Sequence, residues 1–229
     1  YDEQKVTPNI KENGPLETLT DNSTETIDDN TYGGLKVLCE QAVIKGFKNK
    51  SLVLRLGLMA GPHEKFPERL YWIRRVSLGG GILVPTVYDR YFNFIDVRDV
   101  ADFILTAINE SLSGIYNVGG SAQMTLQCWL AACQQACQSN TDFIAIDNDA
   151  FLREHDVYQG IAFSDRHKVL DTCNDKAIKA GLRYRPLVET ASDILAWDKA
   201  QSPRQRQWAG LSKEKEEKLL LEWAHKPVQ

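Results

Sequence analysis

The sequence lacks three features that would narrow its role at once. No apolar stretch approaches the ~20 residues needed to cross a bilayer, so a membrane-spanning role is not expected. There is no basic excess: 27 Lys and Arg stand against 31 Asp and Glu, a net charge of −4. Dedicated nucleic-acid binders are usually basic, so no nucleic-acid partner is expected either. There is also no cysteine framework. Five Cys is an odd count, and Cys128, Cys133 and Cys137 do not have C-x-x-C zinc spacing. His63, His155, His167 and His225 form no H-x-x-x-H pair. The expectation is buried, reduced thiols in a cytoplasmic protein, with no metal site. The chain opens on Tyr1 rather than Met, with no secretory n-region and h-region. That opening reads as a fragment of a longer polypeptide.

What is present is ordinary for a globular protein: 229 residues, 43% hydrophobic and 25% charged. Residues 1–31 are polar and broken by Pro8, Gly14 and Pro15, and read as a long loop. Asp29, Asn30 or Thr31 can cap a helix running to Gly46, with Leu35, Leu38, Cys39, Ala42, Val43 and Phe47 at spacings of three and four. Leu52–Leu56 is nearly continuous apolar sequence ending in Gly57, as expected of a strand buried in a parallel sheet. The same logic predicts helices over 68–77, 99–109, 126–138, 187–199 and from Ser212 onward, and a short one ending near Gly181. It predicts strands over 82–84, 91–95, 115–118 and 143–146, with Gly79-Gly80-Gly81 as a turn. Asp99 is expected in the first turn of its helix, Arg74 and Arg75 on a solvated face, and the Lys213–Lys218 charge run likewise. Alternating strands and helices make the class α/β with a largely parallel sheet.

The sharpest chemical feature is Tyr32-Gly33-Gly34-Leu35-Lys36. Tyr and Lys four apart on a helix share one face. A phenol with a pKa near ~10 is a poor acid or base at neutral pH, and a neighbouring ammonium favours its ionised form. Such a pair can move a proton to or from a carbonyl or hydroxyl. Spacing alone is weak: Tyr1 and Lys5 have it too. Tyr32, however, opens a helix that leads into a buried strand, and ligands bind at the carboxyl ends of such strands.

Further motifs follow in order: Leu54-Arg55-Leu56-Gly57-Leu58-Met59-Ala60-Gly61-Pro62, Phe94-Ile95-Asp96-Val97-Arg98-Asp99-Val100-Ala101, Ile115-Tyr116-Asn117-Val118-Gly119-Gly120 and Gly181-Leu182-Arg183-Tyr184-Arg185-Pro186. Together with Tyr32–Lys36, and with Glu40 and Ala42 beyond it, they resemble the extended short-chain dehydrogenase/reductase family, the NAD-dependent epimerase/dehydratase group. The resemblance spans roughly residues 30–200. It implies the C-terminal part of a Rossmann-type doubly wound parallel sheet interleaved with a small α/β substrate domain. Residues 1–123 would be the later part of the NAD(P)-binding domain, with a substrate-domain insertion at about 62–96. Residues 124–229 would be mainly substrate-binding.

The same resemblance implies NAD or NADP as cofactor, Tyr32 as general acid/base, and Lys36 as its assistant and holder of the nicotinamide ribose. It implies Leu56, Gly57 and Leu58 near the nicotinamide, a small-molecule substrate, and a possible homodimer through the Tyr–Lys helix. No G-x-x-G-x-x-G follows a strand in this sequence, so the pyrophosphate-holding half is expected upstream, with a catalytic Ser just before Tyr1. His63, after Gly61-Pro62, and Arg90 are candidates for the substrate side. Nucleotide-sugar members often carry Asn where this chain has Leu58 and Arg where it has Phe92. Because Arg binds phosphate as a fork, this leans towards a small or moderately apolar carbonyl or hydroxyl compound. A non-catalytic nucleotide- or RNA-binding protein on the same scaffold, or an inert fragment, remains the alternative.

Overall fold

The computed structural model describes residues 1–2, 4–5, 7–85, 93–159, 171–204, 206 and 208–225. The chain divides into two compact units, the first formed by residues 1–59, 92–123 and 168–184 and the second by 60–91, 124–167 and 185–229.

The first unit holds α1 (Tyr32–Phe47), β1 (Leu52–Leu56), β4 (Phe94–Asp96), α3 (Val97–Asn109), β5 (Gly114–Val118) and α6 (Asp175–Lys179). β1 and β5 pair in parallel, from Leu52 opposite Gly114 to Leu56 opposite Val118. Parallel neighbours need a crossover, and α3 supplies its helix. Val100, Phe103 and Ala107 of α3 are buried, and Ile95, Val100, Phe103, Tyr116, Val118, Ala177 and Leu182 form the core. Ile104 and Ile108 are exposed. The helix begins two residues earlier than its sequence implies. Asp96, not Asp99, is the cap: its carboxylate accepts the Arg98 N–H at 2.8 Å and the Arg98 guanidinium at 2.7 Å. Asp99 lies buried inside the first turn.

α1 departs further from expectation. Its apolar positions at Cys39, Ala42, Val43 and Phe47 are exposed, and Gly34 is its one buried residue. Its N-terminus is pressed on the preceding loop, where a Cβ on Gly33 or Gly34 would meet the side chains of Glu17 or Leu19.

The second unit is built on β3 (Gly80–Pro85) and β6 (Thr141–Ile146), parallel from Gly80 opposite Thr141 to Pro85 opposite Ile146. α2 (Tyr71–Ser77), α4 (Leu126–Cys137), α5 (Asp149–Glu154), α7 (Leu187–Ala200) and α8 (Lys213–Ala224) complete it. Gly79 and Gly80 have φ of +65° and +75°, a left-handed turn as the glycine run implies, but Gly80 and Gly81 already belong to the strand. α5, unforeseen in the sequence, spans six residues, too few to show a period. Asn148 caps it through the Phe151 N–H at 2.9 Å.

Two expectations of solvated charge are overturned here. Arg74 pairs with Asp198 at 2.6 Å, and Arg75 pairs with Glu216 and donates to Gly79 O at 3.0 Å and Gly81 O at 2.6 Å. Arg75 and Glu216 are both fully buried, so one carboxylate of the α8 charge run turns inward. Its second oxygen accepts the Leu83 N–H at 3.0 Å, joining α8 to β3. Buried charges are tolerated only when their hydrogen-bonding capacity is met, and here it is met on both sides.

All five cysteines are free; Cys133 is buried, Cys137 half-buried, and Cys39 and Cys128 are exposed. No described helix is long and apolar enough to cross a membrane.

Removing one partner of a buried pair strands the other charge. Glu216→Ala is therefore expected to cost about 3–5 kcal/mol in urea unfolding. Glu217→Ala, its exposed neighbour, should stay within about 0.5 kcal/mol.

Candidate active site

The N-terminus of α1 is held by the loop before it. The Asp28 carboxylate accepts the N–H groups of Asn30 at 2.8 Å and Thr31 at 3.0 Å, and Asp28 O accepts the Tyr32 N–H at 2.9 Å. The Thr31 hydroxyl donates to Thr26 O at 2.6 Å instead of capping the helix. The organising residue is thus Asp28, one position before the three expected caps.

Tyr32 and Lys36 follow on consecutive turns. Both are exposed, Tyr32 by 59%, and neither side chain has a polar partner among the described residues. The rival pair is different in kind. Lys5 closes a turn with Asp2, N–H to O at 3.0 Å and Nζ to carboxylate at 2.6 Å, and Tyr1 lies outside any helix.

One turn beyond Lys36, Glu40 faces Arg55 of β1. Arg55 Nε donates to Glu40 Oε1 at 2.9 Å and Nη2 to Oε2 at 2.7 Å, a two-pronged ion pair. Helix and strand rises place this contact. From the short connection between them, Glu40 is about 12 Å along the helix and Arg55 about 13 Å along the strand. α1 and β1 therefore run side by side in opposite directions. By the same count, Lys36 is level with Leu56 and Gly57, and Tyr32 with Leu58, to within about 2 Å. On these ideal rises Tyr32, Lys36, Leu56, Gly57 and Leu58 fall at one end of the first unit, the carboxyl end of β1.

Backbone and amide groups fix that end. At Gly57 the chain gives up β5 and continues as β2 (Leu58–Ala60), which pairs with β4. Gly57 N–H donates to Val118 O at 3.0 Å and Leu58 N–H to Asn93 O at 2.7 Å. The Asn93 side chain fills the notch: a Cβ on Gly57 or on Gly119 would fall on its Oδ1, which accepts the Gly120 N–H at 2.9 Å. Asn174 repeats the device, accepting from Gly119 N–H at 2.9 Å and donating to Gly120 O at 2.7 Å. Tyr184 donates to Gly119 O at 3.2 Å, and burial pushes its phenol up to about 12, so it stays a neutral donor.

His63 lies in the second unit, in the left-handed region at φ +71°, with its ring 5.7 Å from that of Trp197. Arg90 and Phe92 lie outside the described residues. Sequence reasoning missed the pairing of Glu40 with Arg55 and the amide clasp of Asn93 and Asn174. The available signals were an Arg within the apolar run Leu52–Leu56 and an Asn beside a strand. Among the described residues, no cluster of His, Cys, Asp and Glu could hold a metal ion.

Comparison with known sequences bears on this same stretch. Residues 8–119, which contain α1, β1 and all of β5, match the sequence model described as the NAD dependent epimerase/dehydratase family. Over this stretch, just under half of its length, the chain is similar to that family. No curated protein matches the sequence.

Solved structures share the fold. The RMD protein of Pseudomonas aeruginosa, complexed with NADPH, aligns with a TM-score of 0.54 at 15% identity, over 81% of this chain and 64% of that one. A dTDP-glucose 4,6-dehydratase of Bacillus anthracis in complex with NAD gives 0.56 at 13%, over 88% and 58%. A UDP-N-acetylglucosamine 4-epimerase of Bacillus cereus gives 0.53 at 15%, over 86% and 61%. At these identities the likeness is one of fold: a Rossmann-type α/β architecture with parallel strands. The chain spans about 60% of the length of these proteins.

The notch at Gly57 is directly testable. Gly57→Ala is expected to displace Asn93 and break its bond to Gly120, costing about 1–3 kcal/mol in urea unfolding. If the close approach is the cause, Asn93→Ala in the Gly57→Ala background should cost much less than Asn93→Ala alone.

Proposed function

We propose that this protein is an NAD(P)-dependent oxidoreductase, epimerase or dehydratase that acts on the carbonyl or hydroxyl group of a small or moderately apolar compound. The observation that carries the proposal is a free phenol and a free ammonium one helical turn apart, at the carboxyl end of a parallel strand. Solved structures of the same fold are complexed with NADPH or NAD, which supports the cofactor class.

The residues present fit the nicotinamide end of such a cofactor. Tyr32 and Lys36 offer donors that no described residue occupies, and Leu56, 41% exposed, offers an apolar contact level with them. Leu56, Gly57 and Leu58 would line the nicotinamide side. The cofactor, when bound, supplies or accepts the hydride. Tyr32 gives a proton to the substrate oxygen in reduction and takes one in oxidation. Lys36 faces the negative charge that develops on that phenol and binds the ribose hydroxyls. An apolar Leu58 in place of an amide leaves less polar contact for a sugar, which supports an apolar substrate over a nucleotide-sugar.

His63 and Arg90 are assigned to the substrate side. Residues 1–123 are read as the later part of the cofactor domain with an insertion at about 62–96, and 124–229 as mainly substrate-binding. A homodimer through α1 would cover Val43, Ile44 and Phe47, which are exposed.

The test is turnover of nicotinamide absorbance against a panel of ketones, aldehydes and alcohols, using the protein as its gene encodes it. Tyr32→Phe should lower kcat by about 10²–10⁴-fold on whichever substrate is turned over, with cofactor affinity nearly unchanged. Full activity in Tyr32→Phe would refute the mechanism.

A further inference from the structure

α1 has an unusual attachment. It is a 16-residue helix with a single buried residue, Gly34, and every residue from Gln41 to Phe47 is exposed. Apolar packing, which normally sets a helix on its sheet, supplies little here. Two specific contacts stand beside the half-buried Leu35, Val37 and Leu38. At the N-terminus, Gly33 and Gly34 abut Glu17 and Leu19. Near the middle, Glu40 binds Arg55, with the two side chains 17% and 10% exposed.

The second contact is directional. The guanidinium meets both carboxylate oxygens, at 2.9 and 2.7 Å, so it fixes rotation about the helix axis as well as height along it. Arg55 is itself held. Nη1 donates to Glu12 O at 2.8 Å, and the Tyr1 ring covers the guanidinium at 4.8 Å. Tyr1 Oη donates in turn to Asn117 Oδ1, and Asn117 Nδ2 donates to Ile10 O at 2.9 Å. The guanidinium therefore has little freedom to follow the helix if the helix shifts.

Tyr32, Lys36 and Glu40 lie at successive four-residue steps on one side of α1. The geometry points to Glu40 and Arg55 as positioning residues: their forked ion pair sets the height and rotation of α1 against β1, and so where the Tyr32 phenol stands relative to Leu56, Gly57 and Leu58. This inference rests on the proposed function of Tyr32. Because Tyr32 and Lys36 ride on the same helix, the pair does not set their mutual spacing. It sets their placement against the strand. Misplacement by about 1 Å costs on the order of 10²-fold in a reaction that depends on alignment.

The experiment compares wild type, Glu40→Gln, Arg55→Lys and Tyr32→Phe, each titrated with NADH and NADPH to count cofactor-binding sites. Steady-state kinetics then use the substrate found in the screen above. Glu40→Gln keeps the shape and removes the charge; Arg55→Lys keeps the charge and removes the fork. Both are expected to lower kcat per cofactor-binding site by about tenfold to a hundredfold, with substrate KM within about twofold. The acid and base limbs of the pH profile should not move, since the Tyr32–Lys36 spacing is intact. Unchanged kcat per site in either variant overturns the inference, as does a fall in activity fully matched by lost cofactor-binding sites. If Tyr32→Phe is inactive while Glu40→Gln is not, this inference alone fails; if Tyr32→Phe is active, the reading of the site fails.

Discussion

The first unit depends on a change of partner at Gly57. Up to Leu56 the chain is hydrogen-bonded in parallel to β5; from Leu58 it is bonded to Asn93 and pairs with β4. A strand can divide its pairing in this way only where the backbones converge closely, and the Asn93 amide fills what would be the side-chain space of Gly57 and Gly119. The glycines are required by this close approach, not by a left-handed backbone. The amides of Asn93 and Asn174 satisfy the N–H groups of Gly119 and Gly120, which the end of β5 would otherwise leave unpaired. These bonds restrain the carboxyl end of β1, and the ligand contact proposed for Leu56, Gly57 and Leu58 would inherit that restraint.

The second unit is held by a different means. Arg74, Arg75, Asp198 and Glu216 bury their charges among Trp72, Ile73, Val76 and Leu83, all nearly inaccessible to water. Such pairs do not by themselves add much net stability, because desolvation offsets attraction. They do impose one arrangement. Arg75 reaches the carbonyls of Gly79 and Gly81 while Glu216 holds the Leu83 N–H, so α2, β3 and α8 fit together in one register only. A hydrophobic contact of the same area would tolerate sliding.

The contrast explains what could be read from sequence. Leu52–Leu56 and Ile115–Val118 are visible as strands because burial on both faces demands continuous apolar residues. The starts of the helices after Thr125 and at Ser212 are visible because a cap is a local signal, and each hydroxyl accepts an N–H three residues on, at 3.1 and 3.2 Å. Arg75 and Glu216 are 141 positions apart, and neither has any local mark that separates it from the solvated charges beside it. The Tyr32–Lys36 pair was legible through its spacing and its place before a strand. Its supports were not, because Asp28, Glu40 and Arg55 matter through what they touch. The apolar spacing of α1 misled for a related reason: a period of three and four marks a helix, but it does not say that a partner covers the face.

That exposure has a functional logic. Residues that must meet a ligand cannot also be spent on packing, and the first turns of α1 carry the two residues proposed for that role, Tyr32 and Lys36. A helix with a free working face must be located by few contacts, and those contacts must be directional. An apolar patch resists separation but yields to rotation, whereas a forked ion pair resists both. Partial burial of Glu40 and Arg55 also shields the pair from salt, which would weaken the same contact on an open surface. In α3 the opposite solution applies. It bears no candidate catalytic group, so Val100, Phe103 and Ala107 can be buried, and one carboxylate cap at Asp96 suffices to fix its start. On the proposed reading, α1 and α3 thus differ in attachment because they differ in what their exposed faces are free to do.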